Sequence, residues 1–287
     1  MSRAFSQLGL VVHPTRPIDT ALRDIREWAA AHDVGVGQVE AQGNSRQVAD
    51  AVERSDCDLL LAVGGDGTTL TALHLGAEHS RPALGVACGS LGVLTSVTAD
   101  RVGWALDQFA AGAWNRVPVP ALDVSWDGSA SAMAINDVSM IRASSGQIIV
   151  SVTIDGVLYA RVAGDGLVVA TALGSTAYTM AAGGPILAPG ADGIVVTPLA
   201  AHGGAVAPIV AGSASRLAVA VEAGHVGARY EIDGRASTAT GERVAVQLRP
   251  DYAVAVGLEG DEPRLTGLRR RGLVVDSPRV LARDARL

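Results

Sequence analysis

Hydrophobic positions in the first 115 residues form continuous apolar runs that alternate with segments of helical spacing. The runs at residues 8–13 and 58–63 show no polar alternation, which is typical of strands covered on both faces of a parallel sheet. The expected helices run from Asp19 to about His32, from Asn44 or Ser45 onward, over 69–79 and over 100–111, and a short strand is expected at 84–87. This alternation predicts an α/β domain with a parallel sheet.

After Trp114 the pattern changes to short segments in which apolar and polar residues alternate. Pro118 and Pro120 mark the boundary. Asp-Gly pairs, a strong hairpin signal between alternating strands, occur at residues 127–128, 155–156 and 233–234. We therefore expect residues 1–117 to form the α/β domain and residues 118–262 a mostly antiparallel β domain.

Composition excludes several classes of function. Hydrophobic residues make up 48% and charged residues 18% of the 287 residues, which fits a globular protein with a large core. None of the 23 basic residues is a lysine, so a Walker-type phosphate loop, a protein-kinase strand lysine and a Schiff-base nucleophile are excluded. A net charge of −6 disfavours nucleic acid as the main partner.

The chain shows neither a signal peptide nor an apolar stretch of about 18 residues, so no membrane partner is expected. Its two cysteines, Cys57 and Cys88, are too few for a disulfide scaffold. A reduced, cytoplasmic setting is therefore expected.

The sharpest candidate for chemistry is GGDGT at residues 64–68, directly after an apolar strand and before a helix. Glycines lack Cβ and permit positive φ, so backbone N–H groups there can converge on an anion, assisted by the helix dipole. The carboxyl end of a parallel strand is also where open α/β sheets bind ligands. Asp66 repels phosphate, which favours a role with a proton or a metal. A plain glycine turn with an Asx cap is the structural alternative.

Glycines also crowd residues 164–185, where they flank an apolar strand that does not otherwise need them. Asp165 opens this strand, and Ser175, Thr176 and Tyr178 follow it. An exposed turn carboxylate, a helix cap and a half-buried tyrosine are the structural alternatives.

Asn136 and Asp137 form a weaker candidate, because they interrupt an apolar strand pattern. Polar side chains in such a position usually face solvent. The six histidines show no HExxH motif and no paired metal-ligand spacing, and no GxSxG nucleophile motif is present.

In this order and at these distances, the segments resemble the NAD kinase family. The resemblance covers most of the chain and rests on LGLVVHPTRP, LLLAVGGDGTTL, LGVACGSLGVL, AINDVSM, TIDGVLYARVAGDGLVVATALGSTAYTMAAGGPI, VTPLAAHGGAVAPIV and YEIDGR. The stretch from GDG to GGP is the specific part, because GGDG alone also occurs in lipid kinases of the same superfamily. The resemblance implies an N-terminal α/β domain, a C-terminal β-sandwich, and a segment at 263–287 that returns to the first domain.

The resemblance also implies an activity. The family transfers a phosphoryl group from ATP, or from polyphosphate in some members, to the 2′-hydroxyl of the adenosine ribose of NAD, giving NADP. Mg²⁺ is expected to arrive with ATP, because the sequence offers no cluster of carboxylates at metal-ligand spacing. A homodimer or homotetramer is the family's usual assembly.

Carried over residue by residue, Asp66 matches the family's general base. The residues that match substrate- or nucleotide-binding positions are Gly64, Gly65, Gly67, Thr68, Asn136, Asp137, Asp165, Ser175, Thr176, Ala177, Tyr178 and Arg235. The resemblance places Asp165 against the adenosine part of the dinucleotide. Arg235 occupies a position where the family often has glutamine.

Several positions depart from the family pattern. Asp137 replaces a glutamate, and smaller or apolar residues replace polar or aromatic ones at Val93, Leu173, Ala181 and Ala207. The phosphate loop is intact, so phosphoryl transfer is better supported than NAD as the acceptor. A kinase for a smaller adenosine-type nucleoside and a non-catalytic nucleotide-binding regulator stay open, although Asp66 speaks against the regulator.

Overall fold

The computed structural model describes residues 5–127, 130–188, 190–203, 206–260 and 264–285. These residues form two compact units. One contains the described residues up to Val117 together with those from Ala253 onward, and the other comprises the described residues of Pro118–Tyr252. The second unit ends at Tyr252 and not at residue 262, because the last part of a long strand pairs with the parallel sheet of the first unit.

The elements follow one another along the chain. The first are β1 (Gln7–Val12), α1 (Asp19–Ala31), β2 (Gly35–Gln38), β3 (Leu59–Gly64), α2 (Asp66–Ala77), β4 (Pro82–Ala87), β5 (Val97–Thr98) and α3 (Val102–Ala110). The next are β6 (Trp114–Trp126), β7 (Ala130–Ala134), β8 (Asp137–Arg142), β9 (Ile148–Ile154), β10 (Val157–Gly164), β11 (Gly166–Thr171) and α4 (Tyr178–Ala181). The last are β12 (Ile194–Leu199), β13 (Ile209–Ala211), β14 (Leu217–Glu222), β15 (Ala228–Ile232), β16 (Arg235–Ala236), β17 (Arg243–Leu258), α5 (Arg264–Arg270) and α6 (Pro278–Asp284).

The first unit is built on a parallel sheet in the order β4–β3–β1–β2, and β5 and the end of β17 also pair with β4. Every residue of β3 and β4 is buried, as expected for strands covered on both faces. Ile25 of α1 and Leu106 of α3 pack with Leu61 of β3 in one hydrophobic core. The predicted α/β domain is therefore confirmed.

The helix expected from Asn44 or Ser45 is wrong. The Asn44 amide donates to the Val12 carbonyl (2.6 Å) and its oxygen accepts the Arg46 N–H (3.0 Å), so Asn44 fixes a loop at the end of β1. Ala51 then forms a bridge with Gln38 of β2. The local periodicity was real, but tertiary hydrogen bonds to β1 and β2 decided the conformation.

The second unit contains two antiparallel layers, which confirms the expected β domain. One layer has the strand order β13–β12–β11–β8–β15–β16, and the other contains β10, β9, β14 and the start of β17. Side chains from both layers, among them Val152 of β9 and Val169 of β11, meet in one core.

Two of the predicted Asp-Gly hairpins are present. Asp155 (φ 50°) and Gly156 (φ 83°) join β9 to β10, and Asp233 (φ 51°) and Gly234 (φ 72°) join β15 to β16. Positive φ at both central residues is the conformation that Asp-Gly favours in two-residue hairpins. The third pair includes residue 128, which lies outside the described residues.

Among the helices that the structure describes, none combines the length and hydropathy needed to span a membrane.

Candidate functional site

The glycine-rich loop lies where β3 passes into α2, at the carboxyl end of the parallel sheet. Gly64 must be a glycine because a Cβ there would overlap the Thr68 hydroxyl and approach the Cβ of His13. None of Gly64, Gly65 and Gly67 uses the positive φ that glycine permits. Position 64 needs a glycine because the side chains of Thr68 and His13 approach its backbone closely. Gly67 faces open space on its Cβ side, as a position that admits a ligand should.

Asp66 is the first residue of α2, and its carboxylate is held by the loop that follows β4. Its Oδ1 accepts the Leu94 N–H (2.8 Å) and its Oδ2 accepts the Val93 N–H (2.9 Å). Gly92 is required in this loop because a Cβ there would overlap the Asp66 carboxylate. The side chain is 35% exposed, and each carboxylate oxygen keeps a free lone pair. Asp66 is therefore oriented yet able to accept a proton.

Thr68, also predicted to bind ligand, is buried, and its side chain faces Gly64 within the turn. The neighbouring Thr69 hydroxyl donates to the Gly65 carbonyl (3.1 Å). Both threonines therefore stabilise the first turn of α2, and the structure gives the Thr68 side chain a structural role.

Arginines surround this loop, and the sequence interpretation missed them. One guanidinium nitrogen of Arg16 lies 2.8 Å from the position that a Cβ on Gly65 would take, so Arg16 covers the loop. Arg46 donates to the Arg16 carbonyl (2.6 Å) and fixes the segment that carries it. Arg271, from the C-terminal segment, places Nη1 3.9 Å from Oδ2 of Asp66. A signal for Arg16 was present in HPTRP, directly after the first strand.

The titration of nearby groups reflects these arginines. Burial lowers the pKa of His13, and the charges of Arg16 and Arg46 lower it further. Burial raises the pKa of the Cys88 thiol, although the same two arginines oppose that rise. The His13 imidazole is therefore neutral and the Cys88 thiol is protonated. The positive charge near these two groups comes from Arg16 and Arg46.

In the second unit, Asn136 directly precedes β8 and Asp137 is the first residue of that strand. The Asp233 carboxylate accepts the N–H of Ile135 (3.1 Å), Asn136 (2.6 Å) and Asp137 (3.2 Å). On the other side, a Cβ on Gly174 would overlap the Asn136 carbonyl. The Asp-Gly turn and the GST sequence therefore hold the Asn-Asp pair from both sides.

Asp137 is an unusual carboxyl group. It is only 4% exposed, and burial together with the charges of Asp233 and Glu231 raises its pKa to about 7, while a hydrogen bond from the Tyr178 N–H acts against this rise. A buried carboxyl group with a strongly shifted pKa is a candidate for a functional site.

Tyr178 connects the predicted binding residues of the second unit. Burial raises the pKa of its hydroxyl, and the charges of Glu231, Asp137 and Asp165 add to the rise, so these groups lie within electrostatic reach of one ring. Tyr178 as a whole residue is 37% exposed. Asp165 is bound by Arg142 through a hydrogen-bonded ion pair of 2.6 Å.

The remaining predicted positions differ in their exposure. Ser175 is fully buried, and its hydroxyl donates to the Ala172 carbonyl (2.7 Å) and accepts the Leu187 N–H (3.0 Å), which is a structural role. Thr176 and Ala177 are partly exposed in the same turn, and Arg235 is exposed after the Asp-Gly turn.

The positions that depart from the family pattern also differ in their exposure and contacts. Leu173 is only 6% exposed and belongs to the protein interior, not to a ligand-facing surface. Ala181 and Ala207 are exposed, and the Ala207 carbonyl accepts a hydrogen bond from the Tyr159 hydroxyl (2.6 Å). Val93 contributes its backbone N–H to Asp66.

Within the described part of the chain, no group of three or more His, Cys, Asp or Glu side chains is arranged to hold a metal ion. The acidic residues Asp137, Glu231 and Asp233 approach one another without forming such a group.

Two family models match the sequence. The model of the ATP-NAD kinase N-terminal domain matches residues 9–114, and the model of the ATP-NAD kinase C-terminal domain matches residues 135–256. Together they cover most of the chain and fall one on each side of the Val117–Pro118 boundary.

Curated relatives give the same picture over part of their length. NAD kinase 1 of Streptomyces coelicolor is 38% identical over 112 residues, which are 37% of this chain and 30% of the relative. The NAD kinase of Chlorobaculum tepidum is 31% identical over 153 residues, which are 52% of this chain and 53% of the relative. The matched region thus spans between about a third and about half of these relatives.

Two solved structures share the fold. Yeast NADH kinase complexed with NADH has a TM-score of 0.80 at 20% identity, with 96% of this chain and 90% of that chain covered. An NAD kinase from Archaeoglobus fulgidus in complex with ATP has a TM-score of 0.74 at 23% identity, with 94% of this chain and 100% of that chain covered.

Proposed function

Because the chain belongs to the ATP-NAD kinase family, we propose that it transfers a phosphoryl group from ATP to the 2′-hydroxyl of the adenosine ribose of NAD, giving NADP. The setting of Asp66 carries this proposal. Two backbone N–H groups orient the carboxylate at a glycine-rich turn, with Arg16 beside Gly65 and Arg271 near the carboxylate. A pure anion cradle has no use for a carboxylate, whereas a carboxylate can act as the general base that accepts the proton of a hydroxyl.

In the proposed reaction, Asp66 accepts the proton of the attacking 2′-hydroxyl. The N-terminus of α2 and the guanidinium of Arg16 attract the phosphate chain of ATP. Phosphoryl transfer depends mainly on positioning and on neutralising charge, and the loop supplies both.

Mg²⁺ is proposed to enter with ATP. Asp66, oriented beside the glycine-rich loop, could offer one carboxylate to an ion held by the phosphates of the donor. Mg²⁺ commonly binds through substrate phosphates with one or two carboxylates. Polyphosphate is the alternative donor that the family uses in some members.

The acceptor is proposed to bind through residues of the second unit. Tyr178 is partly exposed and could stack on adenine, and Thr176 and Ala177 directly precede it in the same turn. Protonated Asp137 can donate a hydrogen bond, and ionised Asp137 can accept one from a ribose hydroxyl.

A smaller adenosine-type acceptor is the second candidate. It is favoured by Ala181 and Ala207, exposed positions at which this chain lacks a polar side chain present in the family pattern. NADH is a further candidate to be tested beside NAD, since the fold neighbour from yeast is an NADH kinase.

A coupled assay with purified protein, ATP, Mg²⁺ and NAD, NADH or adenosine tests the proposal. We expect phosphorylation of NAD or NADH that disappears in Asp66→Asn. Turnover with adenosine alone establishes the second candidate, and binding of nucleotides without any turnover establishes a regulator.

We further propose a cytoplasmic homo-oligomer. Its support is the edge strand β10, where Val157 and Leu158 are exposed by 70% and 56%. Exposed apolar side chains on an unpaired edge are prone to self-association. Light scattering coupled to size-exclusion chromatography tests this, and a Val157→Lys/Leu158→Lys variant that stays unchanged in mass counts against it.

A further inference from the structure

The C-terminal segment carries three consecutive arginines with different surroundings. Leu268, buried at 1% exposure, anchors α5, and the chain leaves the helix through Gly272 at φ 69°. Arg269 donates two hydrogen bonds to the Asp276 carboxylate (3.0 and 2.8 Å). Arg270 is exposed, and Arg271 is directed toward Asp66.

The guanidinium of Arg271 is only partly satisfied. Its Nε donates to the Gly267 carbonyl (3.2 Å), which fixes the side chain. Its Nη1 is 3.9 Å from the Asp66 Oδ2, within ion-pair range but too far for a hydrogen bond. Its Nη2 is buried and has no acceptor among the described residues. A buried charged donor without an acceptor is costly, so an unmet donor beside a ligand-binding turn points to an acceptor on the ligand.

The surroundings indicate the chemistry of that acceptor. Gly67 and the start of α2 lie next to Asp66, so the space favours an anion. Asp66 alone repels a phosphate, and Arg271 offsets this repulsion because its guanidinium lies within ion-pair range of the carboxylate. An arginine fork is also the side chain best suited to phosphate oxygens.

We propose that Arg271 binds the terminal phosphate of the nucleotide donor and stabilises the phosphoryl group in transfer, an inference that rests on the proposed phosphotransfer function. During the step, the 2′-oxygen bonds to the γ-phosphorus, the bond from that phosphorus to the β–γ bridging oxygen breaks, and ADP leaves. Asp66 takes the hydroxyl proton. Arg271 stays protonated and contributes charge and hydrogen bonds only.

The test uses the full chain with three substitutions: Arg271→Ala, Arg271→Gln and the matched control Arg269→Ala. Dissociation constants for ATP and AMP are measured by calorimetry, melting temperatures by circular dichroism, and kcat and KM with NAD. Loss of a charged hydrogen bond is expected to weaken ATP binding about 10- to 100-fold in both Arg271 variants, with kcat also reduced. AMP, which lacks the β- and γ-phosphates, should bind as in wild type. Arg269→Ala should change the dissociation constant of neither ATP nor AMP.

Two results overturn the inference. One is wild-type ATP affinity and kcat in a folded Arg271→Ala or Arg271→Gln variant. The other is an equal loss for ATP and AMP together with a lowered melting temperature, which indicates a merely structural side chain. Arg271→Gln keeps a donor of smaller size, and it serves as the test if the alanine variant does not fold.

The same measurements separate this inference from the proposed function. A wild-type protein that binds ATP through Arg271 but phosphorylates no NAD, NADH or adenosine contradicts the function and keeps the arginine site. A wild-type NAD kinase whose Arg271 variants turn over normally contradicts the arginine site alone. A wild-type protein without ATP affinity contradicts both.

Discussion

Asp66 in the first unit and Asp137 in the second each begin a secondary-structure element, yet their surroundings are opposite. Asp66 accepts two backbone N–H groups, faces Arg271 and is partly exposed. Asp137 is buried beside Asp233 and Glu231 and accepts one backbone N–H from Tyr178.

This difference indicates which ligand each region suits. Opposite charges around Asp66 reduce the repulsion of a phosphate chain, so a carboxylate can work beside it. Like charges around Asp137 repel phosphate and favour groups that donate hydrogen bonds, such as ribose hydroxyls or the adenine amino group. These opposite environments lead us to expect that Asp66 works beside phosphate and Asp137 beside groups that donate hydrogen bonds.

Removal of Mg²⁺ should have the largest effect on turnover. It should affect the region around Asp66 and not the region around Asp137. With ATP and excess EDTA, we expect NADP formation to be abolished, because Mg²⁺ is proposed to enter with ATP and to neutralise the charge of its phosphates. NAD binding, measured by calorimetry without ATP, should be unaffected. Full turnover in EDTA contradicts the prediction.

Asp66→Asn should lower kcat by about 10²–10⁴-fold, the usual contribution of a general base. The substitution also places an amide NH₂ opposite either the Val93 or the Leu94 N–H, so the loop is expected to shift locally. The kcat–pH profile and the melting temperature together check this. A variant with near wild-type kcat and an unchanged profile excludes Asp66 as the base.

Gly92→Ala tests the position of Asp66 without changing its chemistry. The added Cβ overlaps the carboxylate and must displace it, and a displacement of about 1 Å is expected to cost up to about 10²-fold in kcat. Gly103→Ala in α3 is the matched control, since its nearest neighbour is Trp28 Cδ1 at 4.0 Å. Equal kcat in both variants means that the orientation of Asp66 is unimportant.

Asp137→Asn should have the smallest effect on turnover and a pH-dependent effect on stability. The folded pKa of Asp137 is raised from 3.8 to about 7, so the folded protein holds a proton that the unfolded chain releases. The stabilising contribution of this carboxyl is thus complete below about pH 4 and is lost as the pH rises through 7.

The asparagine variant should therefore gain stability over wild type at pH 8, by up to about 4 kcal/mol, and should gain less at pH 5. Urea unfolding at both pH values measures this gain. Asp251→Asn, at an exposed position of the same unit, is the control. A gain that does not depend on pH contradicts the raised pKa.

The local sequence pattern was sufficient to predict a structural element wherever one kind of interaction dominates. Uninterrupted apolar runs gave β1, β3 and β4, because a strand buried on both faces has no polar side to display. The Asp-Gly pairs that begin at Asp155 and Asp233 correctly predicted hairpins, because two residues decide the conformation of the turn. The helix expected at Asn44 failed, because side-chain hydrogen bonds to β1 outweighed local periodicity.

By itself the sequence determined the family, the two-part architecture and the position of Asp66 at a strand–helix turn, because these depend on the order and spacing of residues along the chain. Only the tertiary structure decided the surroundings of that carboxylate. Leu94, Arg16 and Arg271 reach the turn from three separate segments. Ser175 matches the pattern of a binding residue, yet folding buries it. Burial and charge are properties of the assembled neighbourhood, so spacing along the chain cannot specify them.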